Sequence, residues 1–220
     1  MTAPDDFAPA DNPFSARHVR PGALGFRFPA GQSATSLVDK LQQAGWRGQI
    51  VGPHGTGKST LLASLLPVIR AVGRSVVHVE LHDGQRTLPV AIAPARLTRP
   101  AIVVVDGYEQ LSLPSRLHLS WHCRCGGLGL LITTHRRVRL PLLLETRMDA
   151  DLAYQLVRDL LDNKADLVGP EEIARRLDQR DGNLREVLFD LYDVYEQGRL
   201  TRRNRIPLPH ATERKGPPCK

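Results

Sequence analysis

The sequence predicts an α/β fold: a mostly parallel central sheet of about five strands, followed by a small all-helical unit. Three observations predict it. Short apolar runs, among them "PAIVVVDG" at 100–107 and "GLGLLITT" at 127–134, alternate with helical patterns, as in a sheet covered on both faces. A Gly-rich turn, "GPHGTGKST" at 52–60, joins the first strand to the first long helix. After about Thr146 the strand pattern stops and only helical periodicity remains.

Residues 1–35 are rich in Pro, Gly and Ala and lack periodicity; they read as an extended segment, with "LGFRFPAG" lying against the domain. An α/β domain is expected over 36–146. It opens on a helix at 36–44 with Leu37, Val38 and Leu41 inward, stopped by Gly45. "GQIVGP" reads as a buried strand. The helix at 58–72 turns Leu61, Leu62, Leu65, Leu66 and Ile69 inward, and Gly73 closes it. Pro67 should kink its last turn by freeing the Ala63 carbonyl. "RSVVHVEL" is the second strand, 82–99 mostly loop with room for a short helix, and "PAIVVVDG" the third strand. A helical segment follows around 111–122, then "GLGLLITT" and a fifth strand, "LPLLLE".

The helical unit spans 147–198. "DADLAYQLVRDLLD" places Leu152, Leu156, Val157 and Leu160 on one face. "GPEEIARRLDQR" starts with Pro170 and two Glu, suited to a helix N-terminus. "DGNLREVLFDLYDVYEQG" offers Asn183 as N-cap with Glu186 three places on, then a stripe of Leu184, Val187, Leu188, Leu191, Val194 and Tyr195 ended by Gly198. A basic tail occupies 199–220, with a Pro-rich composition that argues disorder.

The 220 residues are 41% hydrophobic and 24% charged, as in globular chains. No apolar run approaches the roughly 20 residues of a membrane helix, and the N-terminus has no basic start or apolar core of a secretory signal. Three cysteines make no disulfide framework, and a cytoplasmic protein is expected. The net charge of +7 is concentrated in the tail, where five Arg and two Lys stand against one Glu. The core has no basic surplus. Nucleic-acid attraction therefore rests on the tail alone, and a solvated end is the favoured reading of it.

"GPHGTGKST", from Gly52 through Pro53, His54, Gly55, Thr56, Gly57, Lys58 and Ser59 to Thr60, fits G-x-x-x-x-G-K-[ST]. Gly52, Gly55 and Gly57 let successive N–H groups converge on an anion, and the following helix adds its positive end. Lys58 then reaches the β and γ phosphates, and the Ser59 hydroxyl takes a place on Mg²⁺. A chance match occurs in roughly one chain in a hundred of this length, and here it also lies between a strand and a helix, as the chemistry requires.

On these residues the sequence resembles the P-loop NTPases, whose fold is a three-layer sandwich. "AIVVVDG" resembles their second motif, with Asp106 holding Mg²⁺ through water. The strand "RSVVHVEL" between the two motifs resembles the division in which a carboxylate primes water. Two further stretches resemble the AAA+ and STAND ATPases. "LLITTHRR" at 130–137 is similar to a strand ending in a polar sensor near the γ-phosphate, a role that falls to Thr134, or to Thr133. "DGNLREVL" is similar to a lid helix opening with Gly-Asn-x-Arg, from which Arg185 would reach the phosphates. The resemblance covers about 46–195 and is strongest at the phosphate loop. It implies ATP and Mg²⁺ as cofactors, a nucleotide-driven switch, and a protein partner or self-assembly as its output. The connection "HRRVRL" departs from AAA+ proteins, in which a helix there carries an arginine for a neighbouring subunit. Arg136, Arg137 and Arg139 are candidates, and a STAND-like arginine after the sensor threonine fits the short connection equally.

The carboxylate expected directly after Asp106 is missing. Gly107 occupies its place and Glu109 comes two positions later. Reaching the site, Glu109 would steer the attacking water; capping the helix near Leu111, it would leave a binding switch. The reading adopted is weak or regulated hydrolysis, against a switch without turnover or a small-molecule kinase. "HLSWHCRC" at 118–125 carries His and Cys, but its Cys-x-Cys spacing is unusual for zinc and a packed helix is expected. His135 lies near the sensor threonines, and Phe26 and Phe28 are candidates for an adenine pocket or for the core.

Overall fold

The computed structural model describes residues 12–88, 100–161 and 168–203, of the last five of these the backbone alone. Most of the expected loop at 82–99, and the tail beyond Arg203, lie outside the described residues.

Five strands form one parallel sheet: β1 (Arg47–Val51), β2 (Ser75–Glu80), β3 (Ala101–Asp106), β4 (Gly129–Thr134) and β5 (Leu142–Glu145), in the order β2-β3-β4-β1-β5. All six residues of β3 and all six of β4 are buried, which is why these strands read as unbroken apolar runs. Helix α2 (Ala34–Gln43) and helix α3 (Lys58–Ala71) cover one face, packing Leu37, Leu41, Leu61, Leu65 and Ile69 against Ile50, Ile102 and Leu131. Helix α4 (Leu113–Cys125) covers the other through Leu119 and Cys123, against Val103, Leu130 and Ile132. The result is the expected three-layer sandwich. The order sets β4 between β1, which leads into the phosphate loop, and β3, which ends in Asp106.

Boundaries follow local chemistry. Helix α2 begins two residues before the expected start because Ser33 caps it: the Ser33 hydroxyl accepts from Ser36 N–H while the Ser36 hydroxyl accepts from Ser33 N–H. Helix α3 carries Pro67 in its interior and ends before Gly73, whose φ is +81°. Gln49 is buried in β1. Its side chain donates to the Val138 and Leu140 carbonyls and accepts from Val138 N–H, fixing the helix-free connection between β4 and β5.

Among the described residues, three helices follow the sheet: α5 (Ala150–Leu160), α6 (Pro170–Gln179) and α7 (Leu184–Arg203). Ala153, Leu156, Val157, Ile173, Leu177, Val187 and Leu191 form their separate core. Three expectations are corrected here. The N-terminal segment is not simply extended: it holds a short helix, α1 (Ala16–Val19), and inserts Phe14 into the core of the helical unit. The Asn12 side chain donates to the Tyr192 carbonyl and to Glu196. Val194 is 47% exposed and lies outside the buried stripe. Gly198 does not end α7, which continues to Arg203; the glycine faces open space, so it weakens the helix by only about 1 kcal/mol relative to Ala.

Arg27 pairs with Asp159, and Phe26 lies 3.6 Å from where a Cβ on Gly57 would stand. Residues 12–28 thus run from the helical core to the phosphate loop.

Candidate functional site: a phosphate-binding cleft

A cleft of 1260 Å³ opens where the C-terminal ends of the strands meet the helical unit, the place where open α/β sheets bind ligands. From the phosphate loop it is lined by residues 54–60, and from the strand ends by Asp106, Glu109, Thr133, His135 and Thr146. Phe26 and Phe28 line it from the N-terminal segment, and Leu184, Arg185 and Leu188 from α7.

The loop turns through left-handed backbone at Gly55 (φ +69°) and Gly57 (φ +89°), and Gly57 caps α3. Long-range packing also demands glycine. A Cβ on Gly52 would stand 2.1 Å from Thr146 Oγ1, and one on Gly55 1.8 Å from Asn183 Oδ1. The Thr56 hydroxyl bonds the Pro53 carbonyl and lies 2.7 Å from the Thr146 hydroxyl, pinning the loop to the chain after β5. Gly52 and Pro53 do not line the cleft. Their carbonyls accept from Lys58 Nζ at 2.7 and 2.6 Å, standing where anionic oxygens would compete for the ammonium. Burial lowers the Lys58 pKa, while Glu109 and Asp106 pull it back up. A buried cation with two acidic neighbours, at a Gly-rich turn that opens a helix, suits a polyanion.

Asp106, at the end of β3, is 7% exposed and accepts from the Thr133 hydroxyl. Thr133 Oγ1 in turn accepts from Gly107 N–H at 2.9 Å. Ser59 sits in the first turn of α3 on the same cleft. Of the two threonines ending β4, Thr133 rather than Thr134 faces the site. The Thr134 hydroxyl donates to the Arg136 carbonyl, 3.0 Å away, and closes the turn behind the strand. The sequence offered Thr134, or Thr133, as the sensor; the alternation of side chains along the strand brings Thr133, not Thr134, to the cleft.

Gly107 adopts φ +82°, and a Cβ there would meet the Leu81 carbonyl oxygen at 2.8 Å. No carboxylate side chain fits at this position. The left-handed turn leads into a 3-10 turn (Tyr108–Gln110) that carries Glu109 to the cleft. Helix α4 is capped instead by Ser112, whose hydroxyl accepts from Ser115 N–H. Gly107→Ala should destabilise the fold by about 1–3 kcal/mol through the forbidden φ and the carbonyl contact, read as a lower urea midpoint.

Glu109 Oε1 lies 2.9 Å from His135 Nε2, and Glu109 Oε2 is buried with no hydrogen-bond partner. The ring of His54 meets that of His135 edge to face, with centroids 3.7 Å apart. Burial first, then Lys58 and His54, push the His135 pKa down to about 4. The two groups meet at ion-pair distance, but with its pKa pushed down to about 4 the imidazole is uncharged at neutral pH. The unfolded chain protonates this histidine near its ordinary value of 6.5 and the folded chain only near 4. Stability should therefore be full above pH 6.5 and fall as pH drops towards 4. Urea titrations at pH 7 and 5 should differ less for His135→Gln than for the parent.

Asn183 holds the N-cap position of α7 by its backbone, its carbonyl accepting from Val187 N–H. Its side chain lies against Gly55, and Oδ1 is a buried acceptor with no hydrogen-bond partner. The box with Glu186 therefore does not form, and the start of α7 is a contact with the phosphate loop. Arg185 is exposed and lines the cleft. Arg137 pairs with Glu145, as does Arg147, at the surface, while Arg136 and Arg139 are exposed. His118 and His122 stack on α4 at 5.8 Å, and among the described residues no cluster of three or more His, Cys, Asp and Glu could hold a metal. Also among them, no helix is long and apolar enough to cross a membrane.

Fold and loop define the class: this is a P-loop NTPase fold, resembling the AAA+ ATPases. No family model matches the chain, and no curated protein matches it in sequence. Solved structures do. The replication initiator DnaA bound to AMPPCP and single-stranded DNA is similar at 16% identity and a TM-score of 0.50, over 82% of this chain and 66% of that one. The RuvB Holliday junction branch migration motor of Thermotoga maritima is similar at 18% identity and a TM-score of 0.41, over 60% and 52%. A Walker-type ATPase of Pyrococcus abyssi follows at 12% identity and a TM-score of 0.48, over 88% and 79%. The chain thus spans about half of RuvB and about two thirds of DnaA.

Proposed function

We propose that the protein binds ATP with Mg²⁺ and hydrolyses it slowly, as an AAA+-type switch whose closure is read by a protein partner or a second copy. The observation that carries this reading is Glu109. Its carboxylate shares one cleft with Lys58 and Asp106, and its Oε2 is a buried acceptor with no protein partner. Such an atom calls for a ligand or water. The residues fit the absent groups on structural grounds: loop glycines where a Cβ would clash, and a buried Lys58 ammonium that donates to loop carbonyls. The Gly-rich loop and Lys58 would hold the β and γ phosphates. Ser59 and Asp106, the latter through water, would hold Mg²⁺, which supplies charge neutralisation on the phosphate oxygens. Glu109 would accept the proton of the attacking water, Thr133 would keep Asp106 in place, and Arg185 would approach the γ-phosphate from the lid.

Asn183 against Gly55 supports coupling between lid and loop, since any shift of the loop on binding must move the start of α7. The basic residues at 199–220 supply the charge for a nucleic acid or an acidic partner.

Phosphate release from ATP by the purified chain, with Mg²⁺ and with EDTA, tests the proposal. Mg²⁺-dependent release without an added acceptor is expected. Tight binding with no release would make the chain a switch without turnover. Release only in the presence of a small-molecule acceptor would make it a kinase.

A further inference from the structure

Building on the proposed hydrolysis at Glu109, we propose that His135 is the positioning residue for that carboxylate. His135 would fix one oxygen so that the other faces the water, with His54 of the phosphate loop as its buttress. The argument starts from the displaced acid. A carboxylate directly after a strand end is held by the strand. Glu109 hangs from a 3-10 turn beyond a left-handed glycine, so its own backbone leaves the side chain several rotamers. A base must keep a hydrogen bond of about 2.6–3.2 Å to its proton donor, so something else must hold it.

His135 is placed to do so. It directly follows β4, next to the Thr133–Thr134 pair, and its Nε2 lies 2.9 Å from Glu109 Oε1. On this proposal the neutral ring donates its Nε2–H to Oε1 across that 2.9 Å approach. Oε2 is the buried oxygen with no partner. His54 stacks its edge on the His135 ring at 3.7 Å, limiting rotation of the imidazole from the phosphate-loop side. The base, its holder and the loop that would bind the triphosphate are therefore in continuous contact. A phosphate-induced shift of His54 would be passed to Glu109 through His135.

The test is steady-state ATP hydrolysis with Mg²⁺, alongside equilibrium binding of a non-hydrolysable ATP analogue. His135→Ala should lower kcat at least tenfold while analogue affinity stays within about threefold. His135→Gln, whose amide can still donate to Glu109, should recover most of the loss. Glu109→Gln combined with His135→Ala should be no slower than Glu109→Gln alone, because both changes remove one unit. Unchanged kcat in His135→Ala, or equal losses in the Ala and Gln variants, would overturn the positioning role.

A second measurement does not depend on turnover. Imidazole NMR of the nucleotide-free parent should show a protected His135 Nε2–H resonance that disappears in Glu109→Ala. Its absence from the parent would overturn the pairing even if ATP is hydrolysed. Its presence in a protein that binds ATP and never hydrolyses it would keep the pairing and sink only the hydrolytic reading.

Discussion

Replacing Lys58 with Ala should weaken binding of ATP or its non-hydrolysable analogues about 100-fold or more and leave the fold intact. The ammonium is buried and donates to two loop carbonyls. With triphosphate present, those bonds would be exchanged for bonds to oxygens that carry full charge. Hydrogen bonds to charged groups contribute about 1.5–3 kcal/mol each, so the loss of two corresponds to at least two decades in affinity. The folded state should tolerate the change. It loses two bonds, but it also loses the cost of a buried cation, which is the main cause lowering the Lys58 pKa. Equal analogue affinity in a folded Lys58→Ala protein, measured calorimetrically, would remove the phosphate-loop reading. Lys58→Arg is the informative companion. The larger planar guanidinium does not fit the two carbonyls 2.6 and 2.7 Å from Nζ, so charge without shape should restore little.

How far this site could be read from the sequence depends on what each residue answers to. The phosphate loop was legible because its requirement is local. Gly55 and Gly57 adopt left-handed backbone, and Lys58 opens a helix, all within a nine-residue window. The strands were legible because burial on both faces forces continuous apolar runs, as in β3 and β4. Residues answering to distant partners were not. Thr146 presses on Gly52 and bonds Thr56, and Asn183 presses on Gly55, yet neither carries a sequence signal beyond its own turn. Asn183 shows the limit well. The S/T/D/N-x-x-E pattern predicts a side-chain cap, but contact with the loop takes that side chain elsewhere. Two adjacent threonines at a strand end look alike in a sequence. Only the strand's alternation against β3 turns Thr133 to Asp106 and Thr134 to the turn behind. Phe14 lies in a stretch without periodicity, so nothing local announced that it would enter the core of the helical unit.

The carboxylate of Glu109 bears the largest expected kinetic effect. Glu109→Gln should reduce kcat for ATP hydrolysis by about 10²–10⁴-fold, the range for removal of a general base, with nucleotide affinity within about threefold of the parent. Gln has the same shape, and its carbonyl oxygen can accept from the neutral His135 ring as proposed for the carboxylate, so the turn after Gly107 should stay in place. What the amide cannot do is take a proton from water. The helix-cap alternative predicts the opposite, a loss of stability with no change in turnover. The structure favours the kinetic outcome, because Ser112 caps α4 and Glu109 lines the cleft. Asp106→Asn gives the contrast. It should weaken Mg²⁺ dependence and turnover together, since the role proposed for Asp106 is to hold the metal and not to steer the attacking water. A Glu109→Gln protein that released phosphate at the parental rate would place the base elsewhere. Among the acids lining the cleft, Glu80 is the next to test: it stands beside Asp106 on the neighbouring strand.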